Sequence, residues 1–293
     1  MATIQKNKRL AWRPMCPTDP PPLAPQTDLV QLDRDHPGFR DPVYRRRRNE
    51  IAKVALGYHV GDSVPSITYT PEEVSVWQIA LQKLAPLHAK YACDQYLRTF
   101  PLLGFEPGHV SQLGEVNEVL RRQTGFKMVP VAGLVSPRVF MSHLADDLFL
   151  ATQYVRHHSA PLYTPEPDVI HELVGHAALL ADSDFADVNR LFGEATNRVG
   201  EDKIDALIRV YWYTLEFGVV RSKQGLKVVG AGMLSSFGEL GRFETQADIR
   251  PYDLPTIANT SFNPTDYQGI LFVAPSVDWL LNDLRRWLRT FIP

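Results

Sequence analysis

Apolar residues recur at three- and four-residue intervals along most of this chain, and that spacing predicts a mainly α protein with a few short β-strands. The clearest start is Thr70-Pro71-Glu72-Glu73. A threonine N-cap, a proline at the first helical position and a glutamate at N3 open an apolar-periodic run through Trp77, Leu81, Leu84 and Leu87 to Tyr96. The same periodicity predicts helices over 42–58, 110–123, 137–155, 167–181, 184–197, 202–221 and 276–290. Strand-like runs are Leu226 to Val229 and Ile270 to Ala274, bounded by Gly225, Gly230 and Pro275. Turn formers gather at 101–108, 159–167 and 245–265. Loops held on a rigid scaffold are where binding groups tend to lie, and the middle one runs straight into a helix.

Composition narrows the class. The 293 residues are 44% hydrophobic with a formal charge of -2, which describes a globular protein with no basic field for nucleic acid. The run Arg45 to Arg48 sits in a helical pattern after Pro42 and reads as a solvated or salt-bridged helix face. Two cysteines, Cys16 and Cys93, support neither a disulfide framework nor a Cys-based metal site, so a reducing cytoplasm is expected. No run approaches a membrane span, and the N-terminus has no apolar signal core. Residues 1–25 read as a flexible Pro-rich leader and 26–293 as one domain.

Seven of the nine histidines carry no pattern, but His171 and His176 stand in Pro-Glu-Pro-Asp-Val-Ile-His-Glu-Leu-Val-Gly-His beside Ala177-Ala178-Leu179-Leu180. Burying such polarity without partners costs roughly 1–3 kcal/mol per group. On a regular helix the i and i+4 histidines of a His-Glu-x-x-His zinc protease lie about 40° apart, whereas i and i+5 lie about 140° apart. Position 175, where that pattern needs histidine, is glycine. Either the two side chains reach round one face, or Gly175 permits a local widening of the helix. Glu216 follows in an apolar helical stretch, Ile208 to Gly218, and needs a cation: a metal, or a salt bridge to Arg209 or Arg221. Two histidines and one carboxylate on one side of a divalent ion leave positions open for O2 chemistry at non-haem Fe(II).

The segments TPEPD-x-x-HEL-x-GH, YW-x-T-x-EFG and GAG-x-LSSFGEL occur in order, with DHPGFRDPVYRRRR, FPLL and TGFKMVPVAGLVSPR upstream. The chain thereby resembles the catalytic domain of the pterin-dependent aromatic amino acid hydroxylases from about residue 30 onward. The resemblance implies Fe(II) held by His171, His176 and Glu216, a tetrahydropterin reductant such as tetrahydrobiopterin, and O2 and an aromatic L-amino acid as substrates. It implies further that Arg156 clamps the substrate carboxylate, with Thr164 and Asp168 framing that site and Asp168 holding Arg156. Ser235 and Ser236 would contact the amino acid backbone or order their loop, and Pro165, Trp212 and Phe217 would wall the ring pocket. On the pterin side it implies the loop through Gly133, Leu134 and Val135, the ring of Phe140 as a stacking partner, and Glu172 acting through water as a catalytic group. Phenylalanine to tyrosine is the expected reaction, with 3-hydroxylation and tryptophan 5-hydroxylation as alternatives.

Two departures stand out. Ser136-Pro137-Arg138-Val139 is not the usual sequence of the pterin turn, and Asp147 stands where an arginine is common. The regulatory domain and tetramerisation helix of animal members do not fit in this length, so a monomer of bacterial type is expected. Among other classes, a zinc metallohydrolase would need histidine at 175. A 2-oxoglutarate oxygenase would need His-x-Asp on a β-rich sheet, and a metal-free binding module would hold no iron.

Overall fold

The computed structural model describes residues 29–292; the expected leader at 1–25 lies outside the described residues. Helix α1 (Pro42–Leu56) is capped by Asp41, whose side chain accepts from the backbone of Val43 and Tyr44. Helix α2 (Pro71–Tyr91) begins with the expected capping box: Thr70 accepts from Glu73 N, and Glu73 accepts from Thr70 N. The chain then breaks at Ala92 and restarts as α3 (Asp94–Thr99), so the run to Tyr96 is two helices. Val228 causes the break, its carbonyl taking the N–H of Cys93.

After α4 (Leu113–Gln123), strand β1 (Lys127–Pro130) pairs in parallel with β2 (Leu148–Ala151) across helix α5 (Pro137–Leu144). Here the expected helix 137–155 is wrong in its second half. Asp147 turns the chain at φ 58°, a left-handed conformation aspartate tolerates, and Leu148 to Ala151 then form a short buried strand. A continuous apolar run of four does not distinguish a buried strand from a helix by periodicity.

A π-helical segment, His171–Ala177, continues into α6 (Ala178–Leu180) and leads to α7 (Ser183–Arg198). Helix α8 (Glu201–Tyr211) likewise ends in a π-helical turn, Trp212–Glu216. The expected helix 202–221 stops there because Gly218 precedes β3 (Val219–Ser222), whose valines pair with a sheet. That sheet has the order β4 (Gly225–Val228), β3, β6 (Ile270–Ala274), β5 (Asp248–Pro251). Helices α9 (Ala231–Leu234) and α10 (Phe237–Gln246) follow β4, while β5 and α11 (Leu254–Asn259) occupy the expected loop 245–265. The C-terminal α12 (Val277–Arg289) buries Leu280, Leu281, Leu284 and Leu288, as its spacing predicts.

Of the two readings of the arginine run, solvated or salt-bridged, Arg47 and Arg48 take the second. Arg47 pairs with Glu73 at 2.8 Å, and Arg48 is buried, lying 3.3 Å over the ring of Tyr154 and pairing with Glu166 at 2.9 Å. The main hydrophobic cluster runs from Val76 to Leu288, and apolar residues of both π-helical segments belong to it. No helix among the described residues is long and apolar enough to cross a membrane.

Candidate active site

Residues five apart come into line where helical hydrogen bonds run from i to i+5, so the π turn puts His171 and His176 on one side of the segment. Widening of the helix is therefore how the i+5 spacing is resolved. Gly175 does more than permit it, for a Cβ there would stand 2.6 Å from the carbonyl oxygen of Ala231. The glycine lets α9 approach closely enough to supply Ser235. At the end of the second π turn, Glu216 faces the pair.

The three donors converge. His171 Nε2 lies 3.0 Å from His176 Nε2, and Glu216 Oε1 lies 2.9 Å from His176 Nε2 with Oε2 3.9 Å from His171 Nε2. Metal bonds of about 2.1 Å at right angles place neighbouring donors about 3 Å apart, which is the spacing of His176 from each of the other two; the 3.9 Å between Glu216 and His171 is wider and would close by about 1 Å on a shared octahedral ion. The alternative partners of Glu216 are engaged elsewhere or remote: Arg209 binds Asp205 and the carbonyl of Ala258, and Arg221 is exposed on β3.

Hydrogen bonding fixes the protonation of the first imidazole. Ser235 Oγ donates to the carbonyl of Ala231 at 2.9 Å, so it accepts from His171 Nδ1–H at 2.9 Å. That tautomer leaves the Nε2 lone pair aimed at the centre, the arrangement that orients metal-bound histidines. Burial and the neighbouring His176 push His171 down to about 4, keeping it neutral. Burial would raise the Glu216 carboxyl, but His176 together with His171 and the backbone N–H of Gly232 holds the group below its usual range.

On one side of this centre a cavity is lined by Arg156, Thr164, Pro165, Trp212, Phe217, Ser235 and Ser236. Arg156 is buried and gripped by Asp168 through Nε and Nη2, at 2.9 and 2.7 Å. Asp168 also accepts the backbone N–H of Arg156 and of His171. Burial would raise its carboxyl, yet the Arg156 guanidinium holds it low. The resulting pair ties Arg156 to the first histidine's backbone. Thr164 closes its own turn on Glu166, while Ser236 caps α10. Ser235 lines the cavity, but its hydroxyl is engaged with His171 and Ala231, an ordering role.

Trp212 stacks on Phe262 at 4.2 Å and leans on Phe217 at 4.6 Å. Its Nε1–H donates to Gln268 Oε1 at 2.9 Å. The buried Glu239, which lines this cavity, and Gln268, which holds Trp212 from behind, were not singled out by sequence. Glu239 stood inside the quoted LSSFGEL. A buried carboxylate in a motif otherwise rich in serine and glycine was the available signal.

On the other side, Gly133, Leu134, Val135, Phe140, Phe149, Glu172 and Tyr211 line a mainly apolar cavity. Phe140 meets Phe149 and Tyr211 edge-on, at 5.1 and 5.9 Å. Glu172 accepts from the N–H and hydroxyl of Thr152, both at 3.1 Å, and burial pushes its carboxyl up to about 7. Glu172 forms a compact acid and imidazole group with both histidines, but Glu216 makes the shorter approach. Asp147, the residue at odds with the family pattern, does not line this cavity and instead pairs with Arg190 at 2.6 Å.

Residues 26–292 match the family model described as biopterin-dependent aromatic amino acid hydroxylase. The chain belongs to that family. Within it, a phenylalanine-4-hydroxylase from Caenorhabditis elegans is 42% identical over 266 residues, covering 89% of this chain and 58% of that protein. A tyrosine 3-monooxygenase from Schistosoma mansoni is 40% identical over 265 residues, covering 89% and 57%. The chain thus spans less than three fifths of the length of these two hydroxylase-family relatives. Among solved members, a phenylalanine hydroxylase from Chromobacterium violaceum with bound iron(III) and 7,8-dihydrobiopterin superposes with a TM-score of 0.73. It is 30% identical over 81% of this chain and 90% of that one.

Proposed function

We propose that this protein is an aromatic amino acid monooxygenase that uses Fe(II), O2 and a tetrahydropterin, with phenylalanine to tyrosine as its reaction. The observation that carries the reading is the convergence of His171, His176 and Glu216, at separations of 2.9 to 3.9 Å, where a charged cavity meets an apolar one. Those three residues would hold the iron, whose chemistry with the reduced pterin is to activate O2 for insertion of one oxygen atom into an aromatic ring.

The remaining work falls to this chain's own side chains. Arg156, held flat by Asp168, presents a planar donor suited to a carboxylate. The face of Trp212, with Phe217 and Pro165, gives an aromatic ring a wall to lie against, and Phe140 offers a ring for a flat bicyclic cofactor. Glu172, with its carboxyl near neutrality, is poised to hold or pass a proton beside that cofactor. Thr152 keeps it in place. Shielding by the loop 159–167 and by Pro264 to Tyr267 would limit water at the centre once the amino acid is seated.

A cytoplasmic monomer fits this reading, the buried free thiol of Cys93 suiting a reducing compartment. Aerobic incubation with Fe(II), a tetrahydropterin and each of phenylalanine, tyrosine and tryptophan tests the assignment, with products separated chromatographically. Tyrosine from phenylalanine is the expected main product. 3-Hydroxyphenylalanine, 3,4-dihydroxyphenylalanine or 5-hydroxytryptophan in its place overturns the specific reaction.

A further inference from the structure

Glu239 is 5% exposed, yet it lines the same cavity as Arg156, Trp212 and Phe217. Its Oε1 accepts the backbone N–H of Gln268 at 2.8 Å, and no basic side chain among the described residues forms an ion pair with it. Every other carboxylate bordering the cavity is either committed or exposed. Glu216 faces the histidines, Glu166 pairs with Arg48, and Asp266 stands in solvent. Arg242, whose charge reaches Glu239 only through the field, lies over the ring of Tyr267 at 4.1 Å.

A buried carboxylate without a countercharge is costly, and such groups ordinarily bind a cation or a donor supplied from elsewhere. Burial pushes this carboxyl up to about 7. An α-amino acid entering the cavity brings two charged groups. Arg156 meets the carboxylate; the ammonium needs an acceptor.

We propose that Glu239 receives the α-ammonium group of the amino acid substrate, making the cavity selective for zwitterions over simple aromatic acids. The inference rests on the reading of this cavity as an amino acid site. It also explains the position of Gln268, whose N–H binds Glu239 while its side chain holds Trp212. A ligand gripped at Glu239 is thereby registered against the wall that meets its ring.

Kinetics of the iron-loaded full chain with a tetrahydropterin test this, comparing phenylalanine as substrate with 3-phenylpropionate, which lacks the ammonium, as competitive inhibitor. In Glu239→Gln the KM for phenylalanine should rise about 10- to 100-fold, the worth of a charged hydrogen bond, with kcat changed less than about threefold. The inhibition constant of 3-phenylpropionate should hardly move. An equal weakening of both ligands, or no change in either, overturns the proposal. Glu239→Asp keeps the charge and should retain part of the preference for phenylalanine. Should Glu239→Gln fail to fold, the Asp variant decides alone: selective loss of phenylalanine affinity supports the proposal and equal loss overturns it. Absence of hydroxylation of any aromatic amino acid by the unaltered protein would instead overturn the functional reading beneath it.

Discussion

The cavity on the Arg156 side and the cavity on the Phe140 side share Pro167, His171, Trp212 and Glu216, and differ in nearly everything else. The first holds a fully desolvated ion pair, Arg156 with Asp168, and a second buried carboxylate, Glu239. The second is walled by Phe140, Phe149, Met141 and Ile208 and opens to solvent through Leu134, which is 71% exposed. A ligand with charges at one end needs fixed countercharges, which must be paired in advance or they destabilise the fold. A flat ring system needs only faces. The charged side is therefore expensive to build and intolerant of change, while the apolar side tolerates a mobile rim.

Removing what both sides share has the largest expected effect. Glu216→Ala should lower bound iron from about one per chain to below about 0.1 and abolish turnover, since the two remaining imidazoles lose their anionic partner. Metal analysis of the purified variant checks this, and retention of iron with turnover would remove Glu216 from the centre. Next in size is Asp168→Ala. It leaves the Arg156 charge buried and unpaired, at a cost of about 3–5 kcal/mol in stability, and should raise the KM for phenylalanine while leaving that for pterin unchanged. Denaturant titration with steady-state kinetics measures both, and a joint loss of amino acid and pterin affinity would erase the division between the cavities. Phe140→Ala should be milder and opposite in pattern. Pterin affinity falls by about 0.5–1.5 kcal/mol beyond the lost contact area, as for other aromatic ring pairs, and amino acid affinity is spared.

Much of this was legible beforehand because the informative signals were local. The capping box at Thr70 and the apolar stripe of α12 depend on residues within a few turns of one another, and both elements lie where the spacing puts them. Segments decided by distant partners were not legible. Leu148 to Ala151 is a strand because β1 lies beside it, and α2 does not run on into α3 because Val228 claims the N–H of Cys93. At the site, the histidines and Glu216 stood out as polar groups in apolar surroundings. Ser235 as the partner of His171, and Gln268 as the tether of Trp212, join positions 64 and 56 residues apart. No spacing rule reaches that far.

The two π turns carry a further consequence for how these helices tolerate editing. A π turn holds one residue more than a regular helix needs, so deleting a residue from His171–Ala177 or Trp212–Glu216 offers the chain an ordinary helix of better intrinsic geometry. Everything beyond the deletion would then swing by about 100°, carrying His176 or Glu216 off the shared centre. In the first turn Gly175 also lies so close to α9 that a Cβ there would stand 2.6 Å from the carbonyl oxygen of Ala231. In these two turns, the backbone's easiest conformation and the assembled site exclude one another.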